Sequence, residues 1–251
     1  MSRSKLREKM IRYCVMISVL FSATVLHAET QKKSKSQASA VRFDPVKKNI
    51  EGWTVLVDPA MLEGEHAKAG AEQLSMLGNH LQRIKILLPA KQLKTMQTLE
   101  IWIERHHPTL GNMQYHPGAG WLREHGHDLR LHKKVHIPRA AALLSRQQIL
   151  KHPAVILHEL AHSYHDQILG FDHSKVKEAY DRAMAAGKYK QVLLYTGRTV
   201  KHYGTTNEKE FFAEGTEAYF YRNDFYPFVA AELEIYDPFF FEVLKEIWGD
   251  L

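Results

Sequence analysis

The chain has 251 residues with 34 Lys+Arg and 28 Asp+Glu, but this basic excess is local. Residues 1–28 hold five basic and one acidic side chain, and residues 29–42 hold Lys32, Lys33, Lys35 and Arg42 against Glu29. Residues 43–251 are left with 25 basic and 26 acidic side chains, a balance that gives no support to nucleic-acid binding.

The N-terminus reads as an export signal. Arg3, Lys5, Arg7, Lys9 and Arg12 form a basic opening, and a mostly apolar stretch runs from Cys14 to Leu26. That stretch is short for a membrane span, and Ala28 offers a small residue at a cleavage point. The expected location is periplasmic or secreted, with an uncleaved N-terminal anchor as the alternative. Cys14 is the only cysteine and lies in this segment, so the exported part would have no disulfide. Residues 29–42 read as a basic, disordered spacer. Residues 43–251 have the length of one domain with a substantial core.

In chain order, Trp53-Thr54-Val55-Leu56-Val57 reads as a strand stopped by Asp58-Pro59. Residues 64–87 carry Leu74, Leu77, Leu81 and Ile84 at helical spacing, and Pro89 follows; a short second helix is expected over 89–96. Leu99-Glu100-Ile101-Trp102-Ile103 alternates as a strand does. Residues 105–132 are rich in His, Gly and Pro. They read as a long loop, either solvated or contacting substrate through Tyr115, His116, Pro117 and Trp121. Lys134-Val135-His136-Ile137-Pro138 reads as a strand, and its proline favours a sheet edge, where an extended peptide could add as a further strand. A short helix is expected over 145–151.

Val155-Ile156-Leu157-His158-Glu159-Leu160-Ala161-His162-Ser163-Tyr164 contains H-E-x-x-H. On a helix His158 and His162 share one face and can bind one metal ion, and Glu159 can face a water held there as general base. The uncharged flanks suit a buried helix. Two imidazoles with a carboxylate and an open position favour zinc, one ion per chain. His165 follows too closely on the same helix to complete a tetrahedral set, and reads as a supporting or surface residue. Gly170 caps this helix. Another helix is expected over 174–186, and a short strand or loop over 191–195.

The third ligand is sought in Tyr203-Gly204-Thr205-Thr206-Asn207-Glu208-Lys209-Glu210-Phe211-Phe212-Ala213-Glu214-Gly215-Thr216-Glu217-Ala218-Tyr219-Phe220. Glu210, Glu214 and Glu217 fall on one helical face among aromatic residues, and buried carboxylates need partners. Asn207 is a natural N-cap, which leaves a capping-box role for Glu210 as the competing reading. At the C-terminus, Phe239, Phe240, Phe241, Leu244 and Trp248 form a packing helix.

H-E-L-A-H followed by Y-G-T-T-N-E-K-E-F-F-A-E resembles the catalytic domain of the anthrax lethal factor type of peptidase, within the gluzincins, whose relatives include the Pro-Pro endopeptidases. The resemblance covers residues 150–222, and the longer motifs are also similar to bacterial secreted proteins. It implies Glu210 as third zinc ligand and Tyr203 as hydrogen-bond donor to the oxyanion; the adjacent His202 is an alternative donor outside the resemblance. It also implies Glu214 as the carboxylate that orients a zinc-bound histidine. The stretch Ser163-Tyr164-His165-Asp166 departs from relatives that are glycine-rich or acidic there.

The expected fold class is α+β: a zincin-like domain with a small mixed sheet, an active-site helix and a helical C-terminal half. The expected activity is that of an exported zinc metallopeptidase acting on peptide or protein substrates, with no nucleic-acid partner and membrane contact only through an uncleaved signal. The competing readings are hydrolysis of a cell-wall or other non-protein amide, and a zinc-binding protein without turnover.

Overall fold

The computed structural model describes residues 41–251; the expected signal and all but the last two residues of the spacer lie outside the described residues. The architecture is mixed α+β. A five-stranded sheet is built from β1 (Val46–Ile50), β2 (Trp53–Val57), β3 (Ile101–Ile103), β4 (Gln114–Tyr115) and β5 (Val135–Ile137), in the order β1-β2-β3-β5-β4. β2, β3 and β5 run parallel, and the two outer strands run antiparallel to their neighbours. A two-stranded ribbon, β6 (Val192–Leu193) with β7 (Thr199–Val200), stands apart from that sheet.

The parallel strands are the apolar ones. Ile101, Trp102, Ile103, Val135, His136 and Ile137 are all buried, as expected of strands covered on both faces. The β1–β2 hairpin escapes the periodicity of the sequence because β1 is Val-Lys-Lys-Asn-Ile with four exposed residues. Its turn is made by Glu51 and Gly52, both with positive φ, of which only the second is a glycine.

β5 is not the edge expected from its proline. It lies between β3 and β4, and Pro138 lies just beyond the strand. The edge is β4, which lies inside the stretch read as a loop. Tyr115 pairs with Val135, whose N–H donates to Glu100 O on the β3 side. Opposed residues of an antiparallel pair alternate in the direction of their polar groups, so the Tyr115 N–H and C=O face outward from the sheet. The neighbouring His116 faces inward, donating to Lys134 O and accepting from Lys133 N–H.

The helices are α1 (Ala67–Leu87), α2 (Ala90–Met96), α3 (Ala119–Glu124), α4 (Arg146–Lys151), α5 (Val155–Tyr164), α6 (Ser174–Ala186), α7 (Glu208–Phe220), α8 (Ala230–Tyr236) and α9 (Pro238–Trp248). α5 packs on α1, β4, β5 and α7, which sets it between the sheet and the helical C-terminal half. A π-helical turn, His165–Leu169, extends it to Gly170, whose φ of 84° ends it. α9 packs on α6, α7 and α8 through its buried Phe240, Phe241, Leu244 and Trp248. Among the described residues no helix is long and apolar enough to cross a membrane.

Candidate metal centre

α5 and α7 meet where their polar faces coincide. His158 and His162 project from α5 with Nε2 atoms 3.0 Å apart. Glu210 Oε2, from the first turn of α7, lies 3.3 Å from His158 Nε2 and 3.2 Å from His162 Nε2. Ligand atoms of a tetrahedral zinc, each about 2.0–2.1 Å from the metal, stand about 3.3–3.4 Å apart. The three atoms therefore already have nearly the mutual spacing that one ion requires, and this donor set can hold a metal ion.

The capping question at Glu210 is resolved by the same geometry. Asn207 Oδ1 accepts from the N–H groups of Lys209 and Glu210 at 3.0 and 2.9 Å, so the cap is real. The Glu210 carboxylate instead faces the two imidazoles, so the cap leaves it free to act there.

The other nitrogen of His158 corrects an expectation. Nδ1–H donates to Glu217 Oε1 at 2.6 Å, whereas Glu214 Oε1 is 3.9 Å away. Glu217 therefore takes the orienting role expected of Glu214. The reason is distance along α7: the two nitrogens of one ring point apart, and Glu217 is about 10 Å along the axis from Glu210, against about 6 Å for Glu214. Glu217 Oε1 also accepts from His152 Nε2 at 2.8 Å. His152, His158 and Glu217 thus form a second group of potential ligands. Contacts of 2.6 and 2.8 Å are hydrogen bonds, shorter than the spacing of two ligands on one ion, so this group supports the first.

Burial opposes the charge on His158, but Glu210 and Glu217 outweigh it and raise the imidazole well above its usual range in the metal-free protein. Burial likewise opposes ionisation of Glu217, yet His152 and His158 hold its carboxyl down at about 2. Glu210 is lowered in the same way by both of its histidines. Glu214 moves the other way, raised well above the carboxylate range by burial and by the charge of Glu217. Of the two neighbouring acids, Glu217 carries the charge and Glu214 the proton.

A cavity of about 760 Å³ opens over the triad. Glu159 is buried at its edge, and its carboxylate has no hydrogen-bond partner among the described residues, so it is available to a water or ligand there. Tyr203 borders the same cavity and is half exposed; burial and Glu210 raise its phenol, which keeps it a donor. His202 does not serve as an alternative donor. It is buried, its Nδ1 accepts from Gly204 N–H at 3.0 Å, and its ring packs on Tyr189 and Phe225. His165 is also remote from ligation, buried against Phe171 and Phe212.

The 105–132 stretch forms the opposite wall, with Leu110, Met113, Tyr115, Pro117 and Trp121 facing the cavity. Its histidines anchor it. His116 Nε2 lies 3.1 Å from His136 Nδ1, and His136 Nε2 lies 3.1 Å from Glu104 Oε1. Glu104 in turn accepts from Trp102 Nε1 and pairs with Arg42. Sequence reasoning missed His152 and gave Glu217 no role. His152 carries no signal before the fold is known, whereas Glu217 was visible as the third acid of one helical face.

Searches of protein-family models, curated proteins and solved structures give no match to this chain.

Proposed function

We propose that the protein is a zincin-like zinc hydrolase that cuts peptide bonds. The observation carrying this reading is the convergence of His158, His162 and Glu210 at 3.0–3.3 Å beside a free Glu159 carboxylate in an open cavity. Zinc is the metal of choice for two imidazoles and one carboxylate, and when bound it supplies an acidified water and a Lewis acid. The chain's own groups account for the remaining work. Glu159 accepts a proton from water and returns it to the leaving amine. The Tyr203 phenol, held protonated, donates to the oxygen that gains charge as the carbonyl is attacked. Glu217 holds the His158 ring through Nδ1–H, so that Nε2 stays aimed at Glu210 and His162 and becomes a donor once its proton is displaced. The outward N–H and C=O of Tyr115 offer an extended polypeptide a strand to pair with, a mode that reads backbone more than sequence.

The test is elemental analysis of the full chain after zinc is offered, followed by cleavage of a proteome-derived peptide library. One zinc per chain is expected in the wild type and in Glu159→Gln, and none in Glu210→Ala. Cleavage is expected in the wild type alone. Unchanged zinc binding by Glu210→Ala would remove the proposed ligand set. A zinc-loaded wild type that cuts no peptide would remove the peptidase reading.

A further inference from the structure

One polar knot joins the metal-bearing helix to the edge strand. Asp166 sits in the π-helical turn, four residues beyond His162, with its side chain 11 % exposed. Its Oδ2 accepts from Tyr115 Oη–H of β4 at 2.6 Å and also from Lys133 Nζ. Gln167, the next residue, donates through Nε2 to Lys133 O at 3.2 Å and to Ser163 Oγ of α5 at 2.9 Å. Lys133 holds a left-handed backbone at φ 59°, unusual for a residue with a side chain, and its N–H donates to His116 O at 2.8 Å. These bonds grip β4 at Tyr115 and at the backbone of His116, and grip the approach to β5 at Lys133.

Simple adhesion of strand to helix does not need this chemistry. A buried carboxylate costs desolvation, and apolar side chains of the same volume commonly hold elements together equally well. A charged, directional contact fixes distance and angle, which apolar packing does less sharply. The place it fixes is the strand whose residues Gln114 and Tyr115 line the triad's cavity.

We propose that Asp166, through Tyr115, is a positioning residue that sets the free backbone edge of β4 at a defined distance from the metal triad, so that an extended polypeptide paired to that edge lies with its scissile bond over the triad. This inference rests on the hydrolase reading for its consequence, but the clasp can be observed without turnover. Removing the phenol in Tyr115→Phe, or the charge in Asp166→Asn, should loosen the strand and leave the ligands untouched.

The experiment uses the zinc-loaded full chain with Tyr115→Phe and Asp166→Asn beside the wild type. Hydrogen exchange of the His116 N–H, which is bonded to Lys134 O, should rise about tenfold in both variants, the loss expected of one charge-assisted hydrogen bond. Exchange of α5 and the zinc content should not change. On any library peptide that the wild type cuts, kcat/KM should fall at least about tenfold, with a displaced scissile bond lowering kcat and weakened pairing raising KM. The proposal is overturned by unchanged exchange in both variants, by loss of zinc, or by a kcat within about twofold of the wild type in both variants. A wild type that binds zinc and cuts nothing would end the hydrolase reading, while the exchange measurement would still decide whether the clasp holds the strand.

Discussion

His158 ties the centre together because its two nitrogens serve different masters. Nε2 faces Glu210 and His162, and Nδ1–H is committed to Glu217. The ring cannot turn over without losing that 2.6 Å bond, so the face it turns to Glu210 and His162 is fixed by the fold itself. Glu217→Gln should therefore weaken zinc binding about 10–100-fold, as loss of such a partner usually does. Glu214→Gln should leave it nearly unchanged, because Glu214 stands 3.9 Å from Nδ1, beyond hydrogen-bond reach. Competition with a chromogenic chelator measures both; equal losses would mean that the two acids share the role. The pairing of His158 with His162 could be read from spacing alone, since H-E-x-x-H on a helix leaves little freedom, whereas Glu210 was implied by the resemblance and competed there with a capping role. Choosing between Glu214 and Glu217 needed the crossing of α5 over α7, which no local pattern encodes.

α7 brings Glu210 and Glu217 to the centre, and its interior holds an unexplained residue in sequence terms, Gly215. Glycine in mid-helix costs stability, so a packing reason is expected. It is found in α9: a Cβ at Gly215 would lie 2.3 Å from the Phe240 ring, which is itself stacked on Phe211 at 4.0 Å. Gly215→Ala gains helix propensity but overpacks this contact, and a net loss of about 1–3 kcal/mol is expected from chemical unfolding. An unchanged midpoint would show that Phe240 swings aside freely. The same close packing explains what was legible at this scale. Long helices announce themselves through apolar faces that must be buried, as Leu77, Leu81 and Ile84 of α1 are. β1 and β4 were missed because an exposed lysine-rich strand and a two-residue strand have almost no apolar face to display. Missing β4 also misplaced the sheet edge onto β5.

Across the whole molecule, the most unusual feature is the number of histidines buried as neutral rings. Burial, helped by nearby cationic groups, lowers His80, His107 and His116 to about 4 and His136 further still. Burial does the same to His165, at about 4, and to His202, at about 3. In the unfolded chain each returns to its ordinary value of about 6.5. Between that value and the lowered one the unfolded state binds the extra proton, so stability falls as pH falls. The contribution of these six is complete above about pH 6.5 and drains away toward pH 4, at up to about 1.4 kcal/mol per pH unit for each group. His158 does not offset this slope. Its value is raised in the metal-free fold, so its contribution is complete below about 6.5 and lost only as pH rises. Glu210 and Glu217, both lowered, hold their contribution down to about pH 4.5 and lose it only in stronger acid. Glu214 and Asp224, both raised by burial, contribute stability that grows as pH falls and so oppose the slope, but the six lowered imidazoles outnumber them, and the metal-free protein should lose thermal stability between about pH 6.5 and 5. Calorimetry from pH 7 to 5 in a chelating buffer reads this directly. A melting temperature constant over that interval would mean that the buried rings exchange protons with solvent in the folded state as easily as in the unfolded one.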